Sequence, residues 1–132
     1  MSNSIATGVA YADPEFTTVY ATDQIGYSTA AQGAVTQATS KSTGVTLNSS
    51  MGQITMNNAA LASVTNVTFT LTNSLLSSKD VLILNVTNGT SGAYNAWVSS
   101  MTAGSATITL RNISGGSLSE AVIINYAIIH GQ

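Results

Sequence analysis

Few residues in this chain could do acid–base or nucleophilic chemistry. There is one histidine, His130, and any Ser-His-acid triad would have to be built on it. No Gly-x-Ser-x-Gly elbow accompanies it. It stands near the chain end, where residues are usually solvated, so His130 is expected to be exposed and non-catalytic. The carboxylates are Asp13, Glu15, Asp23, Asp80 and Glu120. A glycosidase pair would have to come from these five, yet Asp80 and Glu120 each stand at the start of an apolar run, where turn-flanking acids belong. The acids at 13–23 lack the Asp-x-Asp-x-Asp-Gly spacing of a calcium loop. No metal site and no cofactor is expected, and Gly115-Gly116 lacks the Gly-x-x-x-x-Gly-Lys frame of a phosphate loop.

Weaker signals remain. Asn-x-Ser/Thr triplets occur at Asn48, Asn66, Asn85, Asn88 and Asn112, as expected by composition in a chain so rich in these residue types, and they are not read as glycan acceptors. Trp97, near Tyr94 and Asn95, is a candidate ligand-binding residue because an aromatic face suits a sugar ring. A lone Trp in an alternating strand is more often core or interface. The four methionines read as gap-fillers.

Composition narrows the class further. Only 6% of the 132 residues are charged, against about 25% in an ordinary globular chain. Lys41, Lys79 and Arg111 are scattered and the net charge is -2, which offers no footprint for nucleic acid. The absence of cysteine excludes disulfides, thiolate catalysis and Cys-ligated zinc. No stretch reads as a signal peptide or reaches the ~18 apolar residues of a spanning helix, so no membrane partner is expected. Polarity comes from Ser, Thr and Asn, whose short side chains lose less entropy than Lys or Glu when immobilised. A surface of that kind suits burial against a partner, and a non-enzymatic assembly protein is the expectation.

Two regions differ in texture. Residues 1–33 hold three of the five acids, the only proline (Pro14) and three of the five tyrosines, with no sustained period; they read as an N-terminal arm. Residues 34–132 read as one β domain. Strands are expected at 43–47, 53–56, 64–72, 80–87, 94–99, 106–111 and 120–130, separated by turn signals such as Asn88-Gly89-Thr90-Ser91-Gly92 and Ser114-Gly115-Gly116-Ser117. A turn of helix is expected within 57–62. Val67, Phe69 and Leu71 alternate with Asn66, Thr68 and Thr70, the pattern of a strand with one wet face. The run 80–87 is apolar on both faces and is expected at the centre of a sheet. About seven short alternating strands predict an all-β, antiparallel sandwich of jelly-roll type. In the last strand Val122, Ile124, Tyr126 and Ile128 share one face, with Ala121, Ile123, Ala127 and Ile129 on the other. A strand apolar on both faces needs cover on both, from another subunit or from the N-terminal arm; the first set is the expected oligomer interface.

Several stretches carry a family resemblance. They are Gly33 to Leu47 (Gly-Ala-Val-Thr-Gln-Ala-Thr-Ser-Lys-Ser-Thr-Gly-Val-Thr-Leu), Gly52 to Met56, Phe69 to Ser74, Ile108 to Asn112 and Ser117 to Ala121. The segment Gly33 to Gly131 resembles a module of tailed-bacteriophage structural proteins. That resemblance implies a β-sandwich, trimers, and no catalytic motif. The function expected is a capsid decoration (cement) protein on the outer surface of the virion head. It would be a homotrimer that bridges major capsid protein subunits, with residues 1–33 contacting the capsid or a neighbouring subunit and Tyr11, Pro14, Phe16 and Tyr20 as the capsid-binding residues. The alternative is a trimeric fibre or head-spike domain that recognises a host-surface glycan through Asn88 to Gly92, Arg111 to Ser117 and Trp97.

Overall fold

The computed structural model describes residues 15–131. Regular structure begins with a 3-10 turn at Thr29–Ala31, and eight strands follow: β1 (Gln32–Thr36), β2 (Val45–Thr46), β3 (Met51–Thr55), β4 (Asn66–Thr72), β5 (Val81–Asn88), β6 (Tyr94–Thr102), β7 (Ser105–Asn112) and β8 (Ile123–Ile129). They form two four-stranded sheets, ordered β1-β3-β8-β5 and β2-β4-β7-β6. The protein is an all-β sandwich.

Period-two alternation sets which side chains enter the space between the sheets. In β4, Val67, Phe69 and Leu71 turn inward while Asn66, Thr68, Thr70 and Thr72 face out. β7 contributes Ala106, Ile108 and Leu110, and β8 contributes Ile124, Tyr126 and Ile128. Fully burying one such aliphatic side chain is worth about 1.5–3 kcal/mol. Gly52 of β3 is a close-approach glycine. A β-carbon there would lie 2.6 Å from both Leu47 Cδ2 and Tyr126 Cε1, so its bare backbone is what admits the tyrosine ring.

The pairing departs from the antiparallel expectation. The sheets are mixed, because β1 runs parallel to β3 and β2 runs parallel to β4. Parallel neighbours need a crossover, and here each crossover is itself a strand of the opposite sheet. The chain alternates between sheets through its first six strands. Three further expectations change. The segment 57–62 forms no helix; Leu61 instead bridges Leu118. β1 spans the expected boundary between arm and domain, where no individual strand was placed. β5 is an edge strand, because apolar residues on both faces call for cover on both faces and say nothing about neighbours on both sides.

Polar groups that enter the interior are tied to backbone. Asn73 Nδ2 donates to Ser49 O at 2.8 Å, and Asn73 Oδ1 accepts from Leu75 N at 3.0 Å. Asn112 Nδ2 donates to Leu61 O and Gly116 O at 2.9 and 2.8 Å. Gln37 Nε2 donates to Lys41 O and Thr43 O at 3.0 and 2.8 Å. Each amide fastens a loop that contributes nothing to the ladders, and each is satisfied as buried polar groups must be.

Candidate functional site

The one histidine sits beside a carboxylate. His130 Nδ1 lies 3.2 Å from Asp80 Oδ2. Asp80 also accepts from Gly131 N at 2.9 Å, Ser77 N at 2.8 Å and Ser77 Oγ at 2.9 Å. The Gly131 and Ser77 amides, the Ser77 hydroxyl and His130 together hold its carboxyl down at about 2, against the opposing effect of burial. The order of the three groups decides the chemistry. In a catalytic triad the imidazole stands between nucleophile and carboxylate; here the carboxylate stands between serine and imidazole. Ser77 therefore has no imidazole beside it, its hydroxyl donating to the weakly basic Asp80 carboxylate, and the cluster clamps the C-terminal end of β8 to the turn before β5.

A second carboxylate is equally committed. Glu120 accepts from Thr90 N at 2.8 Å, Thr90 Oγ1 at 2.6 Å and Tyr94 Oη at 3.2 Å. The Thr90 hydroxyl leads the effects that lower its pKa. Burial, then Glu120, pushes the Tyr94 phenol up to about 12. Lys41 is buried and its ammonium donates to the Asn57 and Glu120 carbonyls; burial lowers its pKa. Among the described residues, no three His, Cys, Asp or Glu side chains converge on a point that could hold a metal.

Trp97 lies on β6 in register with Thr109 of β7 and is 37% exposed. Its surroundings are hydroxyls: Thr109 bonds Thr68 across the sheet at 2.9 Å and also bonds Ser99. The outer face of the second sheet is a ladder of Thr and Ser, continued by the Ser100–Thr107 and Thr102–Ser105 pairs at 3.0 Å. A shallow cleft of about 300 Å³ lies next to Val86–Gly92 and Tyr94. Trp97 does not line it.

The expected interface set needs correction. Val122, Ile124, Tyr126 and Ile128 are between 0 and 1% exposed within a single chain. They form the floor of the sandwich core, so no partner can reach them. The physical reason is that the second sheet of the same chain covers this face. Among the described residues the other face is half-buried at Ile123, Asn125 and Ala127 and exposed at its end. Ile129 at the end of β8 is 56% exposed, and Val81 and Ile83 on neighbouring β5 are 56% and 48% exposed.

Of the expected capsid-binding residues, Tyr11 and Pro14 lie outside the described residues. Phe16 and Tyr20 are 69% and 91% exposed, as is every residue from Glu15 to Ala30. The segment 15–28 contains no strand or helix. It is anchored where it meets the domain: the Tyr27 hydroxyl donates to the Ile128 carbonyl, near the point where the β3–β8 ladder runs out at Met51 and Ala127. Sequence reasoning missed that anchor, since nothing local links residues so far apart in the chain. No family model, curated protein or solved structure matches this chain.

Proposed function

We propose that this protein is a non-enzymatic assembly protein: a capsid decoration (cement) protein that binds the outer surface of a phage head as a homotrimer and bridges major capsid protein subunits. One observation carries the assembly reading. A chain with a buried apolar core leaves Phe16, Val19, Tyr20 and Ile25 at 59–91% exposure on one segment, and Val81, Ile83 and Ile129 exposed on one sheet face. Apolar surface gathered in this way marks an interaction site. The resemblance of Gly33 to Gly131 to phage structural modules supplies the setting. A protein that binds only the assembled shell stabilises it by mass action, and repetition over many sites multiplies modest contacts.

The test is copy number: quantify this chain against the major capsid protein in purified particles. Hundreds of copies are expected; a handful, or none, would overturn decoration of the shell. A second reading, a fibre or head-spike domain that binds a host glycan, is favoured by the cleft beside Asn88–Gly92, whose polar loop can offer hydrogen bonds to a sugar. It predicts low copy number together with glycan binding that is lost on altering that loop.

A further inference from the structure

The arm and the first sheet each lack something the other has. β5 is the outermost strand of its sheet, so one side of its backbone presents unpaired N–H and C=O groups. Natural edges are usually blunted by lysine, proline, brevity or bulges. From Val81 to Asn88 there is no charged residue and no proline, and the ladder to β8 runs unbroken from Val81 to Val86 before its register shifts. Among the described residues the edge is long, uncharged and open.

Residues 16–22 read Phe-Thr-Thr-Val-Tyr-Ala-Thr, rich in the aromatic and β-branched types that suit a strand. Yet between Glu15 and Gly26 no backbone–backbone hydrogen bond forms among the described residues. Seven residues of strand-forming sequence thus match in length an eight-residue strand that has a partner, β8, on one side only. Charge agrees. The seven are flanked by Glu15 and Asp23, and β5 is preceded by exposed Lys79. Whether the added strand ran parallel or antiparallel, one of the two acids would arrive at the lysine end.

We infer that residues 16–22 of one copy add as a strand to the β5 edge of a neighbouring copy. This rests on the assembly reading above and deepens it, assigning the arm to a second copy of the chain in place of the capsid. The other long open edge, β6, is a poorer acceptor: its exposed positions are Asn95, Trp97, Ser99, Ser100 and Thr102, whereas β5, besides exposed Asn85, Thr87 and Asn88, offers Val81 and Ile83 to Phe16 and Tyr20, which share one face of an extended strand. Strand addition takes affinity from main-chain hydrogen bonds and specificity from the alternate side chains. Donor and acceptor are different patches, so the contact is heterologous and closes into a ring when the rotation allows.

The chain contains no cysteine, which makes disulfide trapping clean. Full-length protein carrying one cysteine in the arm (Thr17→Cys through Ala21→Cys, one at a time) is mixed under mild oxidation with full-length Ile83→Cys. Ala127→Cys and Trp97→Cys serve as controls for the sheet face and the β6 edge. At least one arm position should give a cross-linked pair with Ile83→Cys at tenfold or more the yield of either control. A second variant, Thr18→Pro/Val19→Pro, removes two neighbouring donors that point to opposite sides of an extended strand, so one of them faces β5 in any register, and it does so in a segment exposed throughout among the described residues. Its melting transition under monomeric conditions should match the wild type, while its assembly at a fixed concentration falls at least tenfold by mass measurement. An oligomer that survives the prolines, or one that cross-links only to a control, overturns this inference alone. A wild-type chain that stays monomeric at every concentration overturns the assembly reading with it.

Discussion

Tyr126→Phe removes one oxygen from the middle of the core and should lower stability by an amount the surroundings set. The ring is 1% exposed. Its hydroxyl lies 3.0 Å from Ser49 Oγ, 3.1 Å from Ser49 O, and 3.2 Å from both Leu47 O and Asn73 Nδ2. A phenol has one hydrogen, so it donates to only one of the three Ser49 and Leu47 oxygens while it accepts from Asn73. Deleting the oxygen leaves one buried acceptor and one amide N–H without a partner. Asn73 is partly protected, because it keeps its 2.8 Å bond to Ser49 O. The volume barely changes, so no cavity penalty adds to the loss. Leaving buried groups unsatisfied costs about 1–3 kcal/mol, which in a domain of this size lowers Tm by about 4–12 °C. The assay is urea unfolding followed by far-UV circular dichroism and Trp97 fluorescence, at one fixed concentration because assembly shifts apparent stability. A double-mutant cycle with Asn73→Ala should show a coupling of about 0.5 kcal/mol or more. A loss under about 0.5 kcal/mol, or strict additivity with Asn73→Ala, would refute the claim that this hydroxyl ties the loops to the sheet. A change in oligomer mass with no change in monomer stability would return Tyr126 to the interface.

Two other perturbations follow from the same packing. Gly52→Ala places a methyl 2.6 Å from Leu47 Cδ2 and the Tyr126 ring. Leu47 can rotate but the hydrogen-bonded ring cannot easily yield, so a loss of about 1–3 kcal/mol is expected from overpacking; an unchanged urea midpoint would show that the core absorbs the methyl. Acid should weaken the protein through Asp80. Its folded pKa of about 2 lies below its ordinary value of 3.8, so the unfolded chain binds the proton more tightly. The stability it contributes is complete above its ordinary value and drains away as pH falls through about 2. Asp80→Asn should flatten that limb of a stability–pH curve, and a limb of unchanged slope would mean that the Gly131 and Ser77 contacts do not favour the ionised form.

What the sequence determined by itself was local and periodic. Alternation within 64–72 named both a strand and its buried face, because neighbouring residues in an extended chain must point to opposite sides, and the run 106–111 named another strand. The short apolar runs and the turn residues between them were enough to call for a sandwich. The scarcity of acids and the lone His130 left little with which to build catalytic machinery. What only the tertiary structure decided was who stands next to whom. Val122, Ile124, Tyr126 and Ile128 looked free to meet a partner until β4 and β7 of the same chain covered them. The run at Val81–Asn88 looked central and proved to be an edge, since composition records the need for cover and carries no record of pairing. Gln32–Thr36 has one large apolar residue, Val35, and becomes a strand only because β3 supplies a parallel partner. Asn73, Asn112 and Lys41 are polar by type and buried by circumstance, each held by backbone carbonyls distant in sequence. Asp80 and His130 meet across 50 positions. Periodicity is written into consecutive residues, while register, edges and long-range hydrogen bonds exist only once distant segments have come together.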